Sequence, residues 1–204
     1  MTTLVLYLNV PQTAANTILG GRSRPICVDL SGYGLVTIKK YFRGGLIRYF
    51  NRQTHVRWRP TRPQAEFDLL NRVREIGVNA PETVAYVIKG KLLYHGWLVT
   101  RKIVNSRSLA ELCSLDPPKA EAATRALVHQ ISVLMDNHFL HTDLHPGNVL
   151  VDQNGTSYIV DFDKTRTDFH NREKLKYRYE ERWHRAVMKY QLPEWLDTIM
   201  TDGF

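Results

Sequence analysis

His141-Thr-Asp-Leu-His-Pro-Gly-Asn148, followed thirteen residues later by Asp161-Phe-Asp163, is the stretch on which the reading of this chain turns. Outward from it, Val149-Leu-Val151 reads as a short buried strand. Gln153-Asn-Gly155 reads as a hairpin turn and Tyr158-Ile-Val160 as the returning strand. Such a hairpin carries Asp161 back beside Asn148, so that two oxygen-bearing side chains converge. That donor set suits Mg²⁺, a hard cation that prefers oxygen, and Asp163 is a further candidate ligand. Asp143 sits at the opposite end of the same short loop.

Phosphoryl transfer needs a carboxylate facing the attacking hydroxyl, oxygen ligands for Mg²⁺ and a cation on the phosphates. Asp143, Asn148 and Asp161 have the order and spacing of the protein-kinase pattern H-R-D-x-x-x-x-N…D-F-G. On this reading Asp143 orients the acceptor hydroxyl or takes its proton, Asn148 and Asp161 hold the metal, and His141 braces the loop without moving a proton. Taken singly, each residue has a plainer use: Asp143 and Asp161 as turn or cap residues, His141 and His145 as surface or core histidines. A zinc site from His141 and His145 is disfavoured, because Pro146 and Gly147 break the helix that would align the two imidazoles. A lone D-x-x-x-x-N is a weak signal. With a strand–turn–strand of fitting length and D-F-D behind it, the signal is strong.

The upstream half should then supply a lysine, an acid to orient it and a cover for the phosphates. Ile26 to Leu30 and Leu35 to Lys39 read as strands around the turn Ser31-Gly-Tyr-Gly34. Val36-Thr-Ile-Lys39 matches the V-A-I-K strand, with Thr37 where alanine is usual. Alternation puts Thr37 and Lys39 on one face and Lys40 on the other, so Lys40 is the alternative phosphate ligand if the register differs. Gly32 and Gly34 either cover the phosphates or simply close a hairpin. Pro63 to Ile76 reads as an amphipathic helix with Phe67, Leu70, Val73 and Ile76 on one stripe, stopped by Gly77 with Pro81 beyond. In it Glu66 either pairs with Lys39 or only complements the helix dipole. Thr83 to Ile88, Leu92 to Tyr94 and Trp97 to Ile103 read as antiparallel strands. Thr100 to Ile103 is the candidate hinge for adenine, with Thr100 and Lys102 as nucleotide-contacting residues. A short helix starts at Ser108. A longer one over about 118–137 is expected to bury Ala122, Leu127, Ile131 and Leu134. Arg172 to Tyr190 reads as a charged helix with Leu175, Tyr179 and Trp183 as a core stripe, and Thr201 to Phe204 as a frayed end.

With 204 residues, 43% of them hydrophobic, the chain is expected to form one compact bilobal unit. The expected class is α+β, a minimal protein-kinase-like fold: an antiparallel sheet lobe over 1–103 and a reduced helical lobe over 104–204. Two cysteines, Cys27 and Cys113, make no disulfide framework and suggest a reducing cytosol. No run has the length of a transmembrane helix, and Leu4 to Leu8 lacks the basic leader of a secretion signal. The net charge of +8 is concentrated: between Asp29 and Glu66 there is no acid, but eight lysines and arginines interleaved with Tyr41, Phe42, Tyr49, Phe50 and Trp58. Such a segment attracts anions, or else is a solvated basic face.

Ile38-Lys-Lys-Tyr-Phe-Arg-Gly-Gly45 resembles the strand and glycine turn of bacterial lipopolysaccharide core kinases, the Kdo kinase and heptose kinase group. The resemblance continues through Glu66-Phe-Asp-Leu-Leu70, Gly77-Val-Asn-Ala-Pro81, Val99-Thr-Arg-Lys-Ile103, His141-Thr-Asp-Leu144, Val160-Asp-Phe-Asp-Lys164 and the tail residues Asn171, Leu175, Arg178 and Trp183. It implies an enzyme using ATP and Mg²⁺ to phosphorylate a sugar hydroxyl of nascent lipopolysaccharide at the cytoplasmic face of the inner membrane. Lys39, Glu66, Asp143, Asn148 and Asp161 would take the roles just argued. The basic segment Arg43 to Arg62 would meet an anionic glycolipid in the membrane, and no nucleic acid is expected. His145-Pro-Gly-Asn148 departs from the group and is more like the loop of aminoglycoside and other small-molecule kinases. Asp163 stands where the protein-kinase triplet has glycine, as suits the lipopolysaccharide group. The rival readings are a soluble small-molecule or protein kinase, and a non-catalytic nucleotide- or RNA-binding module.

Overall fold

The computed structural model describes residues 25–41, 55–56, 60–91, 93–167 and 171–204, with 55, 56 and 93 as backbone only. The chain divides into two compact units, one of residues 1–71 and 82–102, the other of 72–81 and 103–204.

The first unit is a five-stranded antiparallel sheet with a helix. Strands β1 (Ile26–Leu30) and β2 (Gly34–Lys40) form a hairpin in which Leu30 faces Gly34. Its turn needs positive φ at Gly32 (83°) and Gly34 (71°), a conformation that glycine adopts without steric cost. Strand β3 (His55–Val56) and strand β4 (Thr83–Lys89) both pair with the long β5 (Leu93–Arg101), which also carries β2. Two strands were expected over 92–103; one continuous strand is found, because His95 and Gly96 stay extended and pair with Lys89 and Ile88. Helix α1 (Arg62–Glu75) starts against Gly96, where an added Cβ would come within 2.7 Å of Pro63 Cγ. Val28, Leu30, Val36, Ile38, Trp97 and Val99 make one buried cluster. Alternation then projects Thr37 and Lys39 from the opposite face, as expected.

The second unit is helical, with a small three-stranded sheet. After β6 (Arg107–Ser108), helix α2 (Leu109–Leu115) starts at a capping box, in which Ser108 and Glu111 satisfy each other's backbone N–H groups. Helix α3 (Pro117–Asp136) is capped by Asp116 and opened by Pro117. It buries Ala120, Ala123, Thr124, Leu127, Ile131 and Leu134. Ala122, expected inside, is exposed because it lies off the stripe that 120, 123, 127 and 131 define. Strands β7 (Val149–Val151) and β8 (Ser157–Ile159) form the expected hairpin, with Val149 opposite Ile159. Helix α4 (Arg172–Lys189) buries Leu175, Tyr179 and Trp183. The end of the chain is not frayed: helix α5 (Trp195–Asp202) buries Leu196, Ile199 and Met200. The Trp183 indole donates to the Leu196 carbonyl at 3.2 Å. At Gly203 an added Cβ would fall 2.5 Å from Val128 Cγ1 of α3, so a larger residue there would force Val128 or the final turn to shift.

The division after Ile103 that the sequence suggested is shifted by one residue, and Arg72 to Pro81 joins the second unit. The reason is polar. Asn79 donates its N–H to Gln130 Oε1 at 2.8 Å, and its carbonyl accepts from the Ile159 N–H at 2.9 Å. The Gln130 amide in turn donates to both the carbonyl and the hydroxyl of Ser157, at 3.0 Å each.

Candidate active site

In the first unit, Lys39 Nζ lies 3.0 and 2.8 Å from the two carboxylate oxygens of Glu66. Glu66 is 3% exposed and Lys39 about a third (32%). β2 delivers the lysine; α1 delivers the acid from its second turn, one turn before the buried Leu70 and two before Val73. Tyr41, just past the end of β2 and on the lysine's side, donates its phenol to Glu66 Oε2. The Lys39 ammonium lies 5.2 Å from the centre of the Tyr41 ring. A buried carboxylate is tolerated when it is paired and hydrogen-bonded, and here both conditions hold.

Lys40 goes the other way, over the Trp97 ring at 5.8 Å, and burial lowers its pKa. Gly32 sits in the hairpin turn and Gly34 opens β2. Thr100 lies in β5 opposite both Thr37 and Thr83. The backbone N–H groups of Arg101 and Lys102 donate to the Glu82 and Leu35 carbonyls at 2.8 and 3.0 Å. Most of the basic segment Arg43 to Arg62, including Arg43, Arg48, Arg52, Arg57 and Arg59, lies outside the described residues.

In the second unit, the loop from His141 is held from beneath. The His141 N–H donates to the Tyr179 hydroxyl at 2.9 Å, and that hydroxyl donates to the Phe139 carbonyl at 3.0 Å. The imidazole is 2% exposed and packs edge-on against Phe162 at 4.8 Å. Its Nε2 is 3.0 Å from the Val160 carbonyl, so Nε2 carries the hydrogen. Burial pushes the pKa down against the Val160 hydrogen bond and the fields of Asp161 and Asp143. His141 is thus a brace between the loop and the end of β8, the role expected of it.

Asn148 closes the loop. Its Nδ2 donates to the Asp143 carbonyl at 3.0 Å, which leaves Oδ1 for another partner. Its own carbonyl accepts from the Val160 N–H at 3.0 Å, so the hairpin returns residue 161 beside residue 148. Asp161 then adopts the left-handed conformation (φ 65°, ψ 59°), which few residue types other than glycine, asparagine and aspartate take up readily. The turn it makes leads into the short 3-10 helix Phe162–Lys164, which contains Asp163 and inserts Phe162 into the core. Among the described residues no three His, Cys, Asp or Glu side chains cluster as a metal site. Asn148 Oδ1 and the Asp161 carboxylate would offer amide and carboxylate oxygen, a donor set suited to Mg²⁺, an ion that keeps several waters and binds through one or two carboxylates.

Two contacts in this unit escaped the sequence. Arg182 of α4 donates to Asp143 Oδ1 at 2.6 Å. His145 accepts from the Gly147 N–H at Nδ1 (3.1 Å), and burial, with the Arg182 charge second, pushes its pKa down to about 4. Nothing in the sequence around Arg182 points to a partner so far back in the chain. Tyr41, by contrast, carried a signal: two positions beyond Lys39 along the strand direction is the same side.

A lysine on an antiparallel sheet paired with a helix carboxylate, and an Asp–Asn loop closed by a hairpin aspartate, are the layout of a kinase-like fold. The chain belongs to the lipopolysaccharide kinase (Kdo/WaaP) family, whose model matches residues 27–197. It is 35% identical over 130 residues to the 3-deoxy-D-manno-octulosonic acid kinase of Vibrio cholerae, covering 62% of this chain and 55% of that one. It is 32% identical over 177 residues to the protein of the same name from Haemophilus influenzae, covering 78% and 72%. The chain thus spans a little over half the length of the Vibrio relatives it matches. A chain in the crystal structure of the yeast RNA Pol II CTD kinase CTDK-1 complex is similar with TM-score 0.48 and 18% identity, over 79% of this chain and 50% of that one.

Proposed function

We propose that the chain is an ATP-dependent kinase that phosphorylates a sugar hydroxyl of the lipopolysaccharide inner core, with Kdo on a lipid A precursor as the acceptor. The observation that carries the reading is the family match over residues 27–197, with the Asp143–Asn148 loop and the Lys39–Glu66 pair both formed. In this reading Lys39, held by Glu66 and Tyr41, is the cation on the ATP phosphates. Asn148 Oδ1 and the carboxylates of Asp161 and Asp163 would hold Mg²⁺, which neutralises phosphate charge when bound. Asp143 takes the proton of the sugar hydroxyl as its oxygen attacks the γ-phosphorus and the bond to the β-phosphate oxygen breaks. The basic segment Arg43 to Arg62 meets the anionic glycolipid at the cytoplasmic face of the inner membrane, each Lys or Arg near such a surface adding about 1 kcal/mol.

The test is incubation of the purified chain with Mg-ATP and extracted core glycolipids, read by mass. One added phosphate on Kdo is expected. Asp143→Asn should lower turnover by at least about 10²-fold while folding survives. Transfer at an unchanged single-turnover rate in that variant defeats the assignment. The His145-Pro-Gly-Asn148 loop favours one other reading, a small soluble acceptor. A screen of soluble sugars and aminoglycosides with radiolabelled ATP separates the two.

A further inference from the structure

We propose that Arg182 is a positioning residue for Asp143, fixing one carboxylate oxygen so that the other is presented to the acceptor hydroxyl. The proposal rests on the kinase reading of Asp143 and goes beyond it, because the residue comes from a different element.

The loop itself supplies Asp143 with no positive charge. From His141 to Asn148 the only basic side chains are two histidines, and burial lowers the pKa of both. The cation comes instead from α4, whose Arg182 Nη2 meets Asp143 Oδ1 at 2.6 Å, with the arginine 22% and the aspartate 37% exposed. Charge-assisted hydrogen bonds of this length are roughly twice as strong as neutral ones.

The position of Arg182 is set by packing on both sides. One turn earlier, Tyr179 bonds the backbone at Phe139 and His141. The next residue, Trp183, is 1% exposed and tied to Leu196. Helix α4 therefore registers itself on the backbone where the loop begins, then reaches two residues along to the side chain the chemistry needs. With Oδ1 engaged by the guanidinium, we assign Oδ2 to the acceptor proton. A carboxylate with one defined orientation is the condition for a near-attack geometry, where small misplacements cost large factors in rate.

The experiment measures turnover and KM for Mg-ATP in Arg182→Met, Arg182→Lys, Asp143→Asn and the Asp143→Asn/Arg182→Met double variant, with core glycolipid as acceptor. ATP hydrolysis without acceptor serves as a second readout, and thermal melting is followed in parallel. Arg182→Met is expected to lower kcat by about 10- to 100-fold with KM for Mg-ATP within about twofold. Arg182→Lys should recover part of the loss, since a point charge replaces the planar fork. In the Asp143→Asn background the arginine change should cost less than about threefold, because it acts through the carboxylate already removed. If Arg182→Met does not fold, Arg182→Gln takes its place. Equal losses in both backgrounds, a loss confined to KM, or full activity in Arg182→Met overturns the proposal alone. Asp143→Asn at the wild-type rate, or neither transfer nor hydrolysis by the wild-type chain, overturns the kinase reading and the proposal with it.

Discussion

Replacing Lys39 by Met removes a cationic partner of a carboxylate that is 3% exposed, to which the Tyr41 phenol still donates. Breaking a fully buried ion pair from one side costs about 3–5 kcal/mol. Here the lysine is 32% exposed and the phenol still donates, so about 1–2 kcal/mol is expected. For a chain of this size that lowers Tm by roughly 2–8 °C. Glu66→Gln keeps the shape and a hydrogen-bonding carbonyl, removes the charge, and should cost no more. The double variant Lys39→Met/Glu66→Gln should be more stable than Lys39→Met alone, since the buried charge that lost its lysine has gone too. Urea and thermal unfolding followed by circular dichroism measure all three. If the double variant is less stable than Lys39→Met, the stability argument from burial is wrong, whatever happens to activity.

His145 gives a pH signature. Its folded pKa, about 4, is below the ordinary value near 6.5, so the unfolded chain binds the proton first. Its contribution is fully present above about pH 6.5 and is lost as the pH falls toward 4. Allowing for its partial exposure, His145→Asn should flatten that limb of the stability profile by about 1–2 kcal/mol; an unchanged limb refutes the assignment. Tyr179→Phe removes both the donor to Phe139 and the acceptor for His141, at a cost of about 1–3 kcal/mol. Because the loop loses its support, kcat in glycolipid phosphorylation should fall as well. A Phe variant with wild-type stability and rate would show that the hydroxyl supports nothing.

The hairpin 149–159 and the helix around Glu66 were legible because their signals are local: a turn between two short apolar runs, and a 3.6-residue period with a glycine stop. Lys39 and Glu66 were legible as a pair because strand alternation and helix phase each fix a direction. The stripe Leu175, Tyr179, Trp183 was read as core, and it is core. What the period does not encode is that the Tyr179 hydroxyl and the Arg182 guanidinium finish at residues some forty positions earlier. Helix α5 was missed because four of its eight residues, Asp197, Thr198, Thr201 and Asp202, are polar, which blurs its short apolar stripe. Ala122 was misplaced because a small side chain gives the pattern no weight in either direction.

The amide of Gln130 joins three segments: Oε1 takes the Asn79 N–H, and Nε2 serves both Ser157 oxygens. It is a mixed acceptor and donor, 6% exposed, and only one way round satisfies every neighbour. Deamidation at this position would therefore wound the molecule out of proportion to its single atom of change. The new carboxylate would set a negatively charged oxygen against the Ser157 carbonyl, in a place water hardly reaches, so ageing of this one side chain would loosen the hairpin that carries Asp161.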